Sequence, residues 1–321
     1  MIKTKSIDEF KRLIKKNKSF LILTHVNPEP DTIGSALSLY HYIKGTGKNV
    51  KVYNEDDLPK FMKFMKYSSV ISTVMPAMRF DVAICVDAGS PDMLGGEFNR
   101  LKSSFFVNID HHRTNTMYGD LNIVDPCASA TCELIYDLFK KIGADIDITI
   151  ASLLLTGIIY DTGSFRYRNT TYNTLKISSE LVRSGADIAG ITEKLYENQS
   201  LERLKLLEMI LNTLELSSDG KIASVELSKN MYEATGTSRE DAEGMIDYPK
   251  SISGVIVAVL FREIEDGRYK VSLRSKSDFN VSDIAEELGG GGHKNAAGCT
   301  MEGRLFDVKN KVFSKIVERL K

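Results

Sequence analysis

Cysteine is scarce in this sequence. Cys85, Cys127, Cys132 and Cys299 are the whole supply, and none forms a Cys-x-x-Cys pair. That excludes a disulfide framework or a zinc knuckle and points to a reducing compartment. The N-terminus leads into an amphipathic stretch rather than an apolar signal core, and no uninterrupted apolar run is long enough to span a bilayer. The expectation is a cytoplasmic protein with no membrane partner. An excess of either charge is missing too: 42 basic against 43 acidic residues leave a net charge of -1. A protein that tracks long nucleic acid needs a strongly basic surface, so this balance favours a short anionic substrate. There is no internal repeat and no low-complexity tract. Cys127 and Cys132 read as small buried side chains.

What is present is an ordinary globular composition in a chain of 321 residues, 42% hydrophobic and 26% charged, long enough for two cores. Apolar-rich runs at 20–23, 82–86 and 105–109 read as buried strands, 50–53 as a further strand, and segments at 6–15, 32–44, 128–142 and 148–160 as helices. Strands alternating with helices predict a doubly wound, mostly parallel α/β sheet domain. Residues 188–214 read as helix and serve as the linker, with a surface through which two copies can pair as a homodimer. Beyond it, strands at 222–227, 254–261 and 269–273, an Asp-Gly hairpin signal at Glu265-Asp266-Gly267 and a final helix at 304–321 predict a smaller α/β domain with a mixed sheet. The expected division is 1–187, 188–214 and 215–321, with a cleft between the two domains.

Chemistry-bearing residues gather where the N-terminal strands end. The first strand runs into His25, the 82–86 strand into Asp87, and the 105–109 strand into Asp110, His111 and His112. Asp161 follows a further apolar run. Ligands of open parallel sheets bind at the carboxyl ends of the strands, so these clusters should converge. The first continues through His25-Val26-Asn27-Pro28-Glu29-Pro30-Asp31, a His, a Glu and an Asp within seven residues and stiffened by two prolines. Imidazole with carboxylate suits manganese, and less specifically iron, cobalt or zinc. Each acid has a plain alternative: Asp31 sits where a helix N-cap belongs, and a strand-end Asp is commonly a turn residue. Phe165 and Tyr167 can stack a base or simply pack beside the turn after Asp161. His41 has no partner motif and reads as a packing residue.

The C-terminal part carries Gly289-Gly290-Gly291-Gly292-His293-Lys294-Asn295-Ala296-Ala297-Gly298. Consecutive glycines expose backbone N–H groups to an anion, and the small apolar residues after them argue against a loose linker. Arg274, at the end of the strand before it, can hold a phosphate through two parallel hydrogen bonds.

Asp110-His111-His112 resembles the signature of the DHH phosphoesterases. His25, Asp31, Asp87 and Asp161 fall at that family's other metal-binding motifs, and Gly289–Gly298 is similar to the glycine-rich segment of the DHHA1 domain. The resemblance covers nearly the whole chain. It is strongest to bacterial oligoribonucleases that also dephosphorylate 3′-phosphoadenosine 5′-phosphate. It implies a hydrolase with two divalent metal ions, expected to be Mn2+, acting on short RNA or a mononucleotide. His25, Glu29 and Asp87 would hold one ion, and Asp31, Asp87, His111 and Asp161 the other, with Asp87 shared. Asp110 would orient the histidine pair and His112 would face the phosphate. Arg274, Ser275, Gly290, Gly291, Gly292 and His293 would bind substrate. Glu29 departs from the pattern, which has Asp there. Two other readings stay open: a manganese-dependent inorganic pyrophosphatase, although the Ser-Arg-Lys segment of those enzymes is missing, and a nucleotide-binding protein whose metal site Glu29 impairs.

Overall fold

The computed structural model describes residues 4–320, and the side chain of His293 lies outside the described residues. The chain divides into two units, the first ending at Asn198 and the second starting at Gln199. In the first, α1 (Thr4–Lys16) leads into β1 (Ser19–Thr24), α2 (Pro30–Gly45), β2 (Asn49–Tyr53) and β3 (Ile71–Ser72). Then come β4 (Val82–Val86), β5 (Phe106–Asp110), β6 (Leu121–Val124) and the helices α3 (Thr131–Ile142), α4 (Ile148–Asp161), α5 (Tyr172–Arg183) and α6 (Ile188–Tyr196).

The six strands form one sheet in the order β3-β2-β1-β4-β5-β6, and every pairing is parallel. Strand β1 shows why the runs are continuously apolar. Phe20 and Ile22 enter one core with α1, α3 and α4, while the alternate Leu21 and Leu23 enter a second core with Phe80 and Leu94. A strand covered on both faces has no solvent side to carry polar residues. Helix α4 is apolar nearly all round for the same reason, with Leu153, Leu154, Leu155, Ile158 and Ile159 all buried.

The second unit holds α7 (Leu201–Leu211), β7 (Glu215–Leu216), β8 (Ile222–Leu227), α8 (Lys229–Thr235), α9 (Asp247–Ser251), β9 (Val257–Glu265) and β10 (Arg268–Ser275). It continues with α10 (Ser282–Glu287), β11 (Gly291–His293), β12 (Ala296–Glu302) and α11 (Leu305–Leu320). Its sheet has the order β11-β12-β10-β9-β8-β7 and is mixed, with β8 parallel to β9 and the other pairings antiparallel. The Asp-Gly hairpin is present between β9 and β10, with Gly267 at φ 69 and a register shift just after it.

Two expectations are corrected, and the glycine run acquires a definite structure. The segment 188–214 is not one helix: it breaks after Tyr196, and Ser200 caps a new helix by accepting from the Arg203 amide. The halves serve different cores, Ile191 and Leu195 in the first unit, Leu206, Leu207 and Ile210 in the second. The glycine run is not a loop. Gly291–His293 pairs with Ala296–Gly298 as an edge hairpin. A Cβ on Gly290 would lie 2.1 Å from the Gly298 carbonyl oxygen, and one on Gly298 would lie 2.8 Å from that of Val271, so the glycines allow strands to close together. Finally, Cys127 is exposed on the turn before α3, whereas Cys132 is buried.

Candidate metal centre

The winding reverses between β1 and β4, which are neighbours although β2 and β3 lie between them in the chain. Such a reversal leaves a crevice at the carboxyl ends of the strands. His25 follows β1, Asp87 follows β4, and Asp110 closes β5, so all three reach this edge.

Asp87 is the centre. It is buried and holds a left-handed backbone at φ 58, a conformation that costs a non-glycine residue energy and collects at functional sites. Its Oδ2 accepts from the Thr32 hydroxyl at 2.5 Å and its Oδ1 from the Thr131 hydroxyl at 2.8 Å. Around it lie His25 Nε2 at 3.5 Å, His111 Nε2 at 3.6 Å and His112 Nδ1 at 3.8 Å. Burial alone would raise the pKa of this carboxyl, but the three histidines outweigh it and hold the group well below the ordinary range.

Asp31 and Asp161 arrive on helices that touch. A Cβ on Gly34 would lie 2.5 Å from the Leu153 carbonyl oxygen, and one on Gly157 would lie 2.8 Å from the Asp31 Cα. Glycine at both places lets α2 and α4 cross backbone to backbone. The crossing puts the first turn of α2 beside the last turn of α4. Three left-handed residues, Gly163, Ser164 and Phe165, then turn the chain away immediately after Asp161. Asp31 is not the N-cap of its own helix, a position Glu29 holds without a side-chain bond to the helix amides. Its carboxylate caps α3 instead, accepting from the Thr131 amide at 2.7 Å and the Cys132 amide at 2.9 Å. Ala130, at the N-cap of α3, has no side-chain oxygen to do this.

The histidines are held so that one ring nitrogen faces inward. His25 Nδ1 lies 2.8 Å from the Val26 carbonyl and His111 Nδ1 lies 3.3 Å from that of Ala128. An N–H donated there leaves Nε2 of each ring to act as a ligand. His112 Nδ1–H donates to Asp110 Oδ1 at 2.6 Å, and Asn115 donates to Asp110 Oδ2 at 2.6 Å. Asp110 thus orients His112, while a backbone carbonyl orients His111.

Among the described residues, Asp31, His111 and Asp161 each bring one donor atom within 4.8 Å of the others, as do Asp87, His111 and His112. His25 and Glu29 belong to neither set. Glu29 is exposed but close enough for its charge to act on His25 and Asp161. The donor chemistry fits a divalent cation: oxygen and imidazole nitrogen, with no thiol in either set. So does the electrostatics. Burial and the Asp87 charge push Asp31 up to about 6, and burial and Asp31 push Asp161 well above its ordinary value. Burial opposes protonation of His111, yet Asp87, Asp161 and Asp31 raise it to about 9. These carboxylates repel one another and draw in positive charge.

The C-terminal candidates lie on neighbouring strands, where Arg274 of β10 and His293 of β11 both pair with Ala296 of β12. Arg274 is half-buried near the end of β10, donating to its neighbouring Leu273 carbonyl. Ser275 is buried in a knot of structural hydrogen bonds, donating to the Phe279 carbonyl at 2.6 Å and accepting from Asn295 at 2.9 Å. Gly290, Gly291 and Gly292 are exposed along the edge hairpin.

Sequence reasoning missed Thr32 and Thr131, whose roles rest on contacts with a residue far away in the chain. It also missed a basic face in the second unit. Lys270 pairs with Arg262 across the β9–β10 hairpin, and burial together with Arg262, Arg239 and Arg274 lowers the Lys270 pKa. The signal was available as a cation on each side of an Asp-Gly turn, four residues before Asp266 and three after Gly267. Phe165 packs against the first core, whereas Tyr167 is exposed with its ring over Gly163. His41 is structural, 2.8 Å from Asp147, the N-cap residue of α4.

Comparison with known proteins decides the family. Residues 19–158 match the N-terminal domain of the DHH family, and residues 220–321 match the DHHA1 domain. The chain belongs to the DHH/DHHA1 phosphoesterases. This metal-dependent phosphoesterase is 32% identical over 304 residues to the bifunctional oligoribonuclease and PAP phosphatase NrnA of Thermus thermophilus, covering 94% of this chain and 88% of that one. The protein of the same name from Bacillus subtilis is 29% identical over 296 residues, covering 91% and 92%. Among solved structures, an exopolyphosphatase-related protein from Bacteroides fragilis superposes with a TM-score of 0.93 at 28% identity, over 99% of this phosphoesterase and 97% of that chain. No helix among the described residues is long and apolar enough to cross a membrane.

Proposed function

We propose that this phosphoesterase hydrolyses very short oligoribonucleotides, dinucleotides such as pApA among them, and removes the 3′-phosphate of 3′-phosphoadenosine 5′-phosphate, using two Mn2+ ions in the cytoplasm. The observation that carries the reading is the buried convergence of Asp31, Asp87, His111 and Asp161 in a chain that aligns over nine tenths of its length with oligoribonuclease/PAP phosphatases. The near-neutral charge and the limited basic face on β9 and β10 favour a small anion over a long strand.

Asp31, Asp87, His111 and Asp161 would hold one ion, and His25, Asp87 and Glu29 the other. When bound, such ions lower the pKa of water and stabilise charge on an attacked phosphate. The protein's own groups do the rest. Asp87, fixed through both carboxylate oxygens by threonine hydroxyls, keeps the cluster in register. His112, with Nδ1 engaged by Asp110, presents its other nitrogen to the phosphate and can give a proton to the developing charge. Arg274, Arg262 and Lys270 bind the phosphate of the adjoining nucleotide.

The test is purified protein with Mn2+ and a panel of pApA, 3′-phosphoadenosine 5′-phosphate and pyrophosphate. Turnover of the first two supports the proposal. Pyrophosphate as the only good substrate replaces it with a pyrophosphatase, and absence of turnover that Glu29→Asp restores identifies an impaired centre.

A further inference from the structure

The two sides of Asp87 are not equally ready for an ion. On one side, Asp31, His111 and Asp161 bring donor atoms together, the Thr131 hydroxyl engages Asp87 Oδ1, and the hydrogen bonds that orient Asp31 come from backbone amides. On the other, the Thr32 hydroxyl sits between the two donors an ion would share. It is 2.5 Å from His25 Nε2 and 2.5 Å from Asp87 Oδ2, and those atoms are 3.5 Å apart. Thr32 is fully buried, on the first turn of α2. Glu29, the remaining candidate ligand on this side, is exposed at the N-cap position of α2.

We infer that the Thr32 hydroxyl closes the His25 side of the centre, so that the protein loads its two ions in order, the Asp31–His111–Asp161 side first and the His25 side only when Thr32 yields. The hydroxyl oxygen stands where an ion shared by His25 Nε2 and Asp87 Oδ2 would stand, and its one proton is given to Asp87 Oδ2, so an ion must displace it to reach both donors. Opening the site breaks a buried hydrogen bond to a charged carboxylate, an interaction strong enough to weaken the second step by on the order of tenfold. The inference rests on the two-ion reading above and adds an order of filling and the residue that sets it.

The experiment titrates Mn2+ alone into the full chain, followed by calorimetry and by the paramagnetic resonance signal of free Mn2+. The native protein should bind one ion tightly and a second about tenfold or more weaker. Thr32→Ser, which keeps the hydroxyl, should match it. Thr32→Ala should tighten the second step about tenfold and leave the first unchanged. Thr32→Val, which keeps the volume but offers only a methyl group, should lose the second ion and keep the first. A residue that merely steadied Asp87 would behave differently, with Ala and Val weakening both steps together. Two equal steps in the native protein, or an unchanged second step in both Ala and Val variants, overturn the inference and leave the two-ion reading standing. Failure of the native protein to bind any Mn2+ overturns both. If Thr32→Ala does not fold, Thr32→Val decides alone: retention of two ions refutes the gate.

Discussion

Glycine brings backbone against backbone in both units, with opposite results. In the N-terminal unit, Gly34 and Gly157 let α2 and α4 touch, and the contact delivers Asp31 and Asp161 into a buried crowd of charge. In the C-terminal unit, Gly290 and Gly298 let strands close on one another, and the result is a thin exposed edge with basic side chains elsewhere on the sheet. The first arrangement concentrates function on a few atoms whose charges depend on each other. The second spreads its cations over β9 and β10, where the phosphate-binding role proposed for Arg274 is shared with Arg262 and Lys270. Damage to the first should therefore be severe and damage to the second graded.

The harshest trial of that contrast is Asp87→Ala. Every histidine of the centre is within 3.8 Å of this carboxylate, so hydrolysis should fall on the order of a thousandfold or more. Near-normal turnover would remove Asp87 from the middle of the site. Acidity comes next. With His111 raised to about 9 and His25 raised as well, the metal-free centre holds protons that an ion must displace. Affinity for Mn2+ should therefore climb as pH rises and level off near the His111 value. Between pH 7 and 9 a single displaced proton gives about a hundredfold, and calorimetry in buffers of different ionisation enthalpy should record its release. Flat affinity over that range would show that no such proton is there.

Gly157→Ala tests the helix contact itself. The added methyl would press on Asp31 and Cys132 Sγ, costing about 1–3 kcal/mol of stability in a denaturant titration and turnover by tens of fold through displacement of Asp31. Unchanged stability would mean that the crossing has slack. The mildest change is Arg274→Ala. Loss of one phosphate donor among three should raise KM about tenfold and leave kcat within about threefold. A collapse of kcat would instead tie the C-terminal unit to the chemical step and erase the contrast.

Much of the N-terminal unit was legible because its signals are local. A buried strand reads as an apolar run, and a polar residue at its end marks the sheet edge, so His25, Asp87 and Asp110 could be placed from short windows. The parts that escaped depend on meetings across the chain. Nothing near Thr131 announces that it will bond Asp87, nor does anything near Asp31 say that it will cap a helix beginning a hundred residues later. Gly157 looks like an ordinary small residue in an apolar helix until α2 is laid on it. In the C-terminal unit the same limit misled in the other direction. Four consecutive glycines carry no periodicity, and only pairing with Ala296–Gly298 makes the last two of them, with His293, a strand.

The cap that Asp31 lends to α3 makes the centre audible from outside. The amides of Thr131 and Cys132 are shielded from solvent by a carboxylate that also belongs to the charged cluster. Whatever draws that carboxylate away, or steadies it, must change how readily those two amides trade hydrogen for deuterium. Two positions in the backbone therefore act as built-in reporters of the centre's state. They can be followed without substrate, and they measure how far a single side chain is shared between holding the fold and serving the reaction.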